Sequence, residues 1–211
     1  GALTTKAIEG YAAQEQLVGG VETLFKTSSD TVVGYANDAY KTAGMSANEY
    51  METVTSFSAS LLASMNNDTA AAAEKANVAI TDMSDNANKM GTDISLIQNA
   101  YNGFAKQNYT MLDNLKLGYG GTKEEMQRLL DDASKLSGIK YDISSYSDVV
   151  DAIHVVQTEM GITGTTAKEA STTIEGSVSS MSSAWDNWVA GMADSEANFS
   201  QLTSNLVDSI V

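Results

Sequence analysis

Apolar residues Ala76, Ile80, Met83, Ala87, Met90, Ile94, Ile97, Tyr101 and Phe104 recur at alternating steps of four and three. This spacing holds them on one side of an α-helix and predicts a coiled-coil-like seam over 76–104 that needs a partner along its length. Gly91-Thr92-Asp93 offers a second solution, in which one helix ends and another is capped, so that the seam becomes two packed helices. Shorter stripes have the same period. Val32, Ala36, Tyr40 and Ala43 share a face, as do Tyr50, Val54, Phe57, Leu61 and Met65. Met126, Leu129, Leu130 and Ala133 follow, then Val149, Ile153, Val156 and Met160.

A second seam runs through Ile174, Val178, Met181, Trp185, Trp188 and Met192. Phe199, Leu202 and Leu206 keep its phase, and Ser195 is the one gap. Its polar side is mostly Ser and Thr, which are mediocre helix formers, and Lys168 is the last basic residue of the chain. Such a helix gains its stability from packing, and the expectation is one long helix from 168 that lies against neighbouring copies.

Punctuation fits this reading. Ser46-x-x-Glu49, Thr122-x-x-Glu125 and Thr166-x-x-Glu169 have the form of capping boxes at helix starts. Gly44, Gly120-Gly121, Gly138, Gly161 and Gly164 stand where helices end. Leu17, Val21, Leu24 and Phe25 form an N-terminal face with Gly19-Gly20 inside it, which predicts a break or kink there. Residues 139–146 are rich in β-formers and hydroxyls and are read as a connector. No stretch alternates with period two long enough for a sheet. The predicted class is all-α, a multi-helix bundle or set of helical hairpins with long amphipathic helices. Three segments are expected: 1–65 as N-terminal helices, 66–164 as a central core holding the Gly-Tyr-Gly-Gly-Thr-Lys turn, and 165–211 as the start of a longer rod.

The chain has no proline, where average usage of about 5% would supply about ten, so nothing interrupts long helices. Apolar residues are 43% of the chain but aromatics only 7%, so Ala, Ser, Thr, Met and Gly fill thin helix contacts. A net charge of −15 argues against sequence-specific nucleic-acid binding, which relies on clustered Lys and Arg. With no cysteine, disulfides and thiolate metal sites are excluded. No run approaches the roughly 18 apolar residues of a membrane span. Gly1 in place of Met suggests a processed chain or a fragment of a longer parent, and the fragment is the favoured reading.

Candidate chemistry is sparse. Gly118-Tyr-Gly-Gly-Thr-Lys123 before a capped helix resembles an anion cradle. It lacks the spacing of a phosphate-binding loop and follows the helix-like spacing of Tyr109–Leu117, so it is read as a structural turn. Asp82, Asp85, Asn86, Asn88 and Asp93 cluster like calcium ligands, but Met90 precedes Gly91 and the calcium-loop order fails. They are read as a solvated helix face. His154, the one histidine, has no further ligand or nucleophile pattern beside it and is read as a partly buried helical residue. Trp185 and Trp188 are assigned to packing or an interface. No catalytic, cofactor-binding or metal residues are expected, and no enzyme activity.

Four stretches carry a resemblance. They are Gly44–Leu62, Asp82–Gly91, Ile97–Lys123 and Ala152–Ala170, with Val18–Phe25 fitting the same pattern. Together they resemble the helical core of tail tape measure proteins from long-tailed phages and prophages of Gram-positive hosts. The resemblance implies a virion structural protein that fills the tail tube as several parallel helical copies, sets tail length, and leaves during DNA ejection. It implies the tail tube protein, tail assembly chaperones and the baseplate hub as partners, with contact to the host membrane by the full-length protein during ejection. Assembly in the host cytoplasm and residence in the tail lumen follow. Fully helical, this chain would span ~320 Å at 1.5 Å per residue, short for most tails, so it is expected to be a module of a longer parent. Self-association through 76–104 and 174–206 is expected. The alternatives are a fragment of a tail-associated cell-wall hydrolase, and a small secreted helical hairpin, whose Trp-x-Gly turn is replaced here by Trp188-Val-Ala-Gly191.

Overall fold

A computed structural model describes residues 1–172, 174–194 and 197–210, with the side chains of 174–177 outside that description. The chain is all-α. Its described residues form α-helices and two 3-10 turns, with no strand among them. Packing groups them into two compact units, 1–55 with 166–211, and 56–165, and the division falls inside one helix. The outer parts of the sequence, expected as separate segments, therefore contribute to one unit, while the central segment makes the other.

In the discontinuous unit, α1 (Ala2–Phe25) runs through Gly19-Gly20 without the expected break. Helix formation continues because Gly19 and Gly20 still supply backbone donors, and the cost of two mid-helix glycines is met by burial of Val21 and Phe25. A 3-10 turn, Lys26–Ser28, leads into α2 (Ser29–Thr42), whose Val32, Ala36 and Tyr40 are buried as the periodicity requires. The next helix, α3 (Ala47–Ser64), opens with a complete capping box. The Glu49 N–H donates to Ser46 Oγ at 3.3 Å, and the Ser46 N–H donates to Glu49 Oε2 at 2.7 Å.

The C-terminal segment differs from expectation. The helical stretch α8 (Thr165–Thr172) and α9 (Ile174–Gly191), between which only residue 173 lies outside the described residues, ends at Gly191, and a separate helix, α10 (Phe199–Asp208), follows in place of one continuous rod. Thr166 lies inside α8, one residue past its start, and is not the cap. α10 folds back on α9, and a Cβ at Gly191 would meet Leu202 Cδ1, so the leucine tip packs closely over the glycine. Asn198 caps α10 by accepting from the Gln201 N–H at 3.0 Å. α1 approaches α9 where Gly10 meets Ala190; a Cβ at Gly10 would lie 3.0 Å from the Ala190 Cβ.

In the 56–165 unit the first seam is divided. α4 (Thr69–Met90) ends at Gly91, whose φ of 68° a left-handed helix end requires, and α5 (Ile94–Ala105) begins with Asp93 accepting from the Ser95 N–H at 2.8 Å. One continuous coiled-coil helix is therefore replaced by two helices that pack within the unit. Ala76, Ile80, Met83, Ile97, Tyr101 and Phe104 are all buried. A 3-10 turn, Leu112–Leu115, precedes α6 (Lys123–Ser137) and α7 (Tyr146–Glu159), and residues 139–145 form the expected connector. Phe104 lies between Tyr101 and Tyr109, with ring centroids 5.7 and 6.2 Å away. Tyr146 stands edge-on to Phe57 at 6.3 Å and donates its hydroxyl to the Tyr101 carbonyl at 3.1 Å.

Two glycines make opposite predictions. A Cβ at Gly121 would collide with the Thr110 carbonyl oxygen, so Gly121→Ala is expected to cost about 1–3 kcal/mol. Gly19 has nothing within 4 Å of where a Cβ would stand, and Gly19→Ala is expected to stabilise α1 by ~0.5–1 kcal/mol. Urea unfolding of both variants followed by circular dichroism checks the pair of signs.

Candidate functional site

The polar residues read as a solvated face of 82–93 divide when folded. Asp82, Asp85 and Asn86 are buried at 1%, 0% and 0% exposure, while Asn88 and Asp93 are exposed. The correction has a simple cause. Positions 79, 82, 83 and 86 are one helical stripe, so Asp82 and Asn86 flank Met83 on the face that α4 buries. α7 answers with the matching stripe Val150, Ile153, His154 and Gln157.

These residues form a connected network. His154 Nδ1 stands 3.0 and 2.9 Å from the two carboxylate oxygens of Asp82. Gln157 Nε2 donates to the Asp82 carbonyl at 3.2 Å and its Oε1 accepts from Asn86 Nδ2 at 2.7 Å. Asn86 Nδ2 also donates to the Leu115 carbonyl at 3.0 Å. Asp85 Oδ2 accepts from the Gly164 N–H at 2.7 Å, fixing the turn after α7. Lys75 on α4 pairs with Asp151 on α7. Asn86 Oδ1 and the Tyr101 hydroxyl are buried without a hydrogen-bond partner among the described residues.

Electrostatics follow from this burial. Removal from water pushes the Asp82 carboxyl up to about 6, opposed by the hydrogen bond and charge of His154 and reinforced by Asp85 and Asp151. The hydrogen bond to Asp82 raises the His154 imidazole above its ordinary 6.5, against the smaller effect of its own burial. Chemically the pair can hold a proton between two helices. Among the described residues no group of three or more His, Asp or Glu converges as metal ligands.

The Gly118–Lys123 turn is occupied by its own helix. Gly120 N–H donates to Glu125 Oε2 at 3.0 Å, and Arg128 Nη2 donates to the Gly118 carbonyl at 2.8 Å. Arg128 also sits over the Tyr119 ring, 4.3 Å from its centroid. The Glu125 carboxylate thus serves Gly120 and Arg128 in place of closing a capping box, although Thr122 Oγ1 still accepts from the Glu125 N–H at 3.2 Å. The tyrosyl hydroxyl donates to Asp132 at 2.9 Å, and burial followed by that bond pushes the phenol up to about 12.

Comparison with protein-family models, with curated proteins and with solved structures finds no match. The surface therefore carries what remains of the functional reading. Val178, Met181, Trp185, Met192 and Phe199 are each 37–53% exposed. They follow the second seam, of which Ile174 (side chain) and Ser195 lie outside the described residues. Trp185 stacks on Trp188 at 5.4 Å, and Phe199 stands perpendicular to Trp188 at 6.4 Å, so the stripe continues from α9 onto α10. The opposite face of α9, with Ser180, Ser183 and Ala190, is buried.

A cleft of about 570 Å³ also lies in this unit between α1, α3, α9 and α10. Its amides are largely engaged in structure. Asn48 donates to the Gly10 carbonyl at 3.1 Å, Asn187 accepts from the Ala47 N–H at 2.8 Å, and Gln201 donates to Asn205 at 2.8 Å. Asp186 in its wall is raised by burial first and then by Glu49, with Lys6 opposing.

Sequence reasoning singled out Asp82, Asp85 and His154 but did not join them, and it missed Gln157, Asn86 as a bridge, and the Lys75–Asp151 pair. The usable signal was phase: His154 and Gln157 belong to the same helical stripe as Val150 and Ile153.

Proposed function

We propose that this chain is a non-enzymatic helical module of a phage tail tape measure protein, whose copies associate through the apolar stripe on α9 and α10. The observation that carries the proposal is the exposure of Val178, Met181 and Trp185 on one side of α9, of Met192 just past its end, and of Phe199 on α10, which the Trp185–Trp188–Phe199 ring contacts join to α9. Five large apolar side chains grouped in this way exceed the scattered singles of an ordinary surface and mark a contact. The occupant is a second copy. From Val178 to Trp185 the sequence has no charged residue, so two such faces meet without repulsion and offer nothing to attract a strongly charged partner. The resemblance of Gly44–Leu62 and Ile97–Lys123 to the tape measure family supports the same assignment, as does a proline-free chain. An acidic chain of net charge −15 would not grip passing DNA.

In this reading the parent protein is assembled in the host cytoplasm with the tail chaperones, fills the tube, contacts the baseplate hub, and leaves during ejection, touching the host membrane in its full-length form. No helix among the described residues is long and apolar enough to cross a membrane. Coiled-coil character, where it arises, comes from association of α9 stripes between copies.

Mass spectrometry of purified tails from the producing host tests the assignment. Peptides of this chain are expected in several copies per tail. Their absence from tails, or clearing of peptidoglycan by the isolated chain, would overturn it. Association should also strengthen with salt, because the screening length falls from about 10 Å at 0.1 M to 3 Å at 1 M, which removes repulsion between acidic bodies while leaving an apolar contact intact. Sedimentation at the two salt concentrations reads this directly, and weaker association at 1 M would contradict it.

A further inference from the structure

We propose that Asp82 and His154 form a proton-operated clasp between α4 and α7, which tightens the 56–165 unit in mild acid and loosens it as the pH rises. The geometry makes the pair a junction between elements. Asp82 is 1% exposed and meets His154 Nδ1 with both carboxylate oxygens, while the His154 side chain is 38% exposed and exchanges protons with water. Gln157, one turn further along α7, anchors to the carbonyl of the same Asp82. A change in the His154–Asp82 bond is therefore felt along the α4–α7 contact.

The surroundings leave His154 as the group that neutralises Asp82. On α4 the neighbouring charge is Asp85, on α7 it is Asp151, and both are acids; Asp151 is engaged by Lys75. α5 presents the buried Tyr101 phenol, which is raised well above its ordinary range and stays neutral. The Leu112–Leu115 turn contributes the Leu115 carbonyl to Asn86, and its Asp113 is exposed. With His154 protonated, a buried carboxylate faces an imidazolium. Once His154 loses its proton, Asp82 keeps its charge in an apolar interior against a neutral ring, which favours separation of the helices.

The sign follows from both groups having raised values in the fold. Such a group contributes stability that is fully present below its unfolded value and is lost as pH rises through its folded value. His154 supplies the change from 6.5 upward, and Asp82 supplies it between 3.8 and about 6. Surface carboxylates such as Asp93 and Asp142, lowered by hydrogen bonds from Ser95 and Ser144, act in the opposite sense, losing their contribution as pH falls through their depressed values.

Since the chain has a single histidine, its ring resonances report the pair without ambiguity. The His154 titration midpoint is expected above 6.5 in the wild type and to fall in Asp82→Asn. Amide hydrogen exchange of α4 and α7, corrected for intrinsic rates, is expected to show an opening equilibrium that shrinks by up to about tenfold per pH unit on going from pH 8 towards 6.5. His154→Gln keeps a donor but cannot titrate, and it should lose that dependence; its partly exposed position keeps the variant foldable if Asp82→Asn is not. A His154 midpoint at or below 6.5, or the same pH slope in His154→Gln as in the wild type, would overturn the proposal.

Discussion

Phe104→Ala is expected to lower the stability of the 56–165 unit by ~3–5 kcal/mol. The side chain is 1% exposed and lies between two tyrosine rings, so truncation removes its transfer free energy and leaves a cavity that Tyr101 and Tyr109 cannot easily fill. Tyr101 is held by the unit on several sides, its carbonyl accepting from Tyr146. Tyr109 is tied to the Ile143 carbonyl by its hydroxyl at 3.1 Å. Neither ring is free to collapse inward, which places the cost toward the upper end. Hydrogen exchange of amides in 94–115 should speed up accordingly, and Phe104→Leu, which retains much of the volume, should recover over half of the loss.

Asn86→Leu is expected to cost ~2–4 kcal/mol although it replaces a polar side chain by an apolar one of similar size inside the core. The leucine removes a donor from two buried acceptors, the Leu115 carbonyl and Gln157 Oε1, and each orphaned acceptor costs about 1–3 kcal/mol. Some of that is offset because Asn86 Oδ1 is already unpartnered in the folded unit. A second substitution, Gln157→Leu, removes one of the orphans. The double variant should therefore be less destabilised than the sum of the singles, by about 1 kcal/mol in a double-mutant cycle. Strict additivity would show that the amide bridge contributes nothing.

Much of the fold was legible because apolar period is a strong signal. Val32, Ala36 and Tyr40, and Met126, Leu129, Leu130 and Ala133, are buried where the stripes place them. Helix ends were less legible where two signals compete. At Gly91 the seam keeps its phase while glycine and Asp93 mark a stop and a cap, and the local signal wins because a left-handed glycine costs nothing and the cap satisfies Ser95. After Gly191 the seam again keeps phase, yet α9 ends there and Asn198 caps a new helix that packs back on α9. Phase continuity across a gap is compatible with a hairpin, since the second helix can present its apolar side to the first.

The interior site was hidden for a different reason. Asp82, Asp85 and Asn86 are residue types that normally face water, and their burial depends on Gln157, His154 and the Gly164 amide arriving from 70 or more residues away. One chain segment alone does not announce such compensation; only the coincidence of two polar residues with each of two buried stripes does. The exposed stripe on α9 and α10 was legible as a seam, but the sequence pattern could not distinguish a seam closed within the chain from one left open.

That difference is what the functional account rests on, and sedimentation velocity over a wide concentration range measures it most directly. The wild type is expected to associate, with Trp185 and Trp188 emission shifting to the blue as copies meet, while Val178→Ser/Met181→Ser/Trp185→Ser remains monomeric with unchanged helix content. A wild-type chain that stays monomeric at every concentration, or a triple variant that associates equally well, would contradict the scaffold reading.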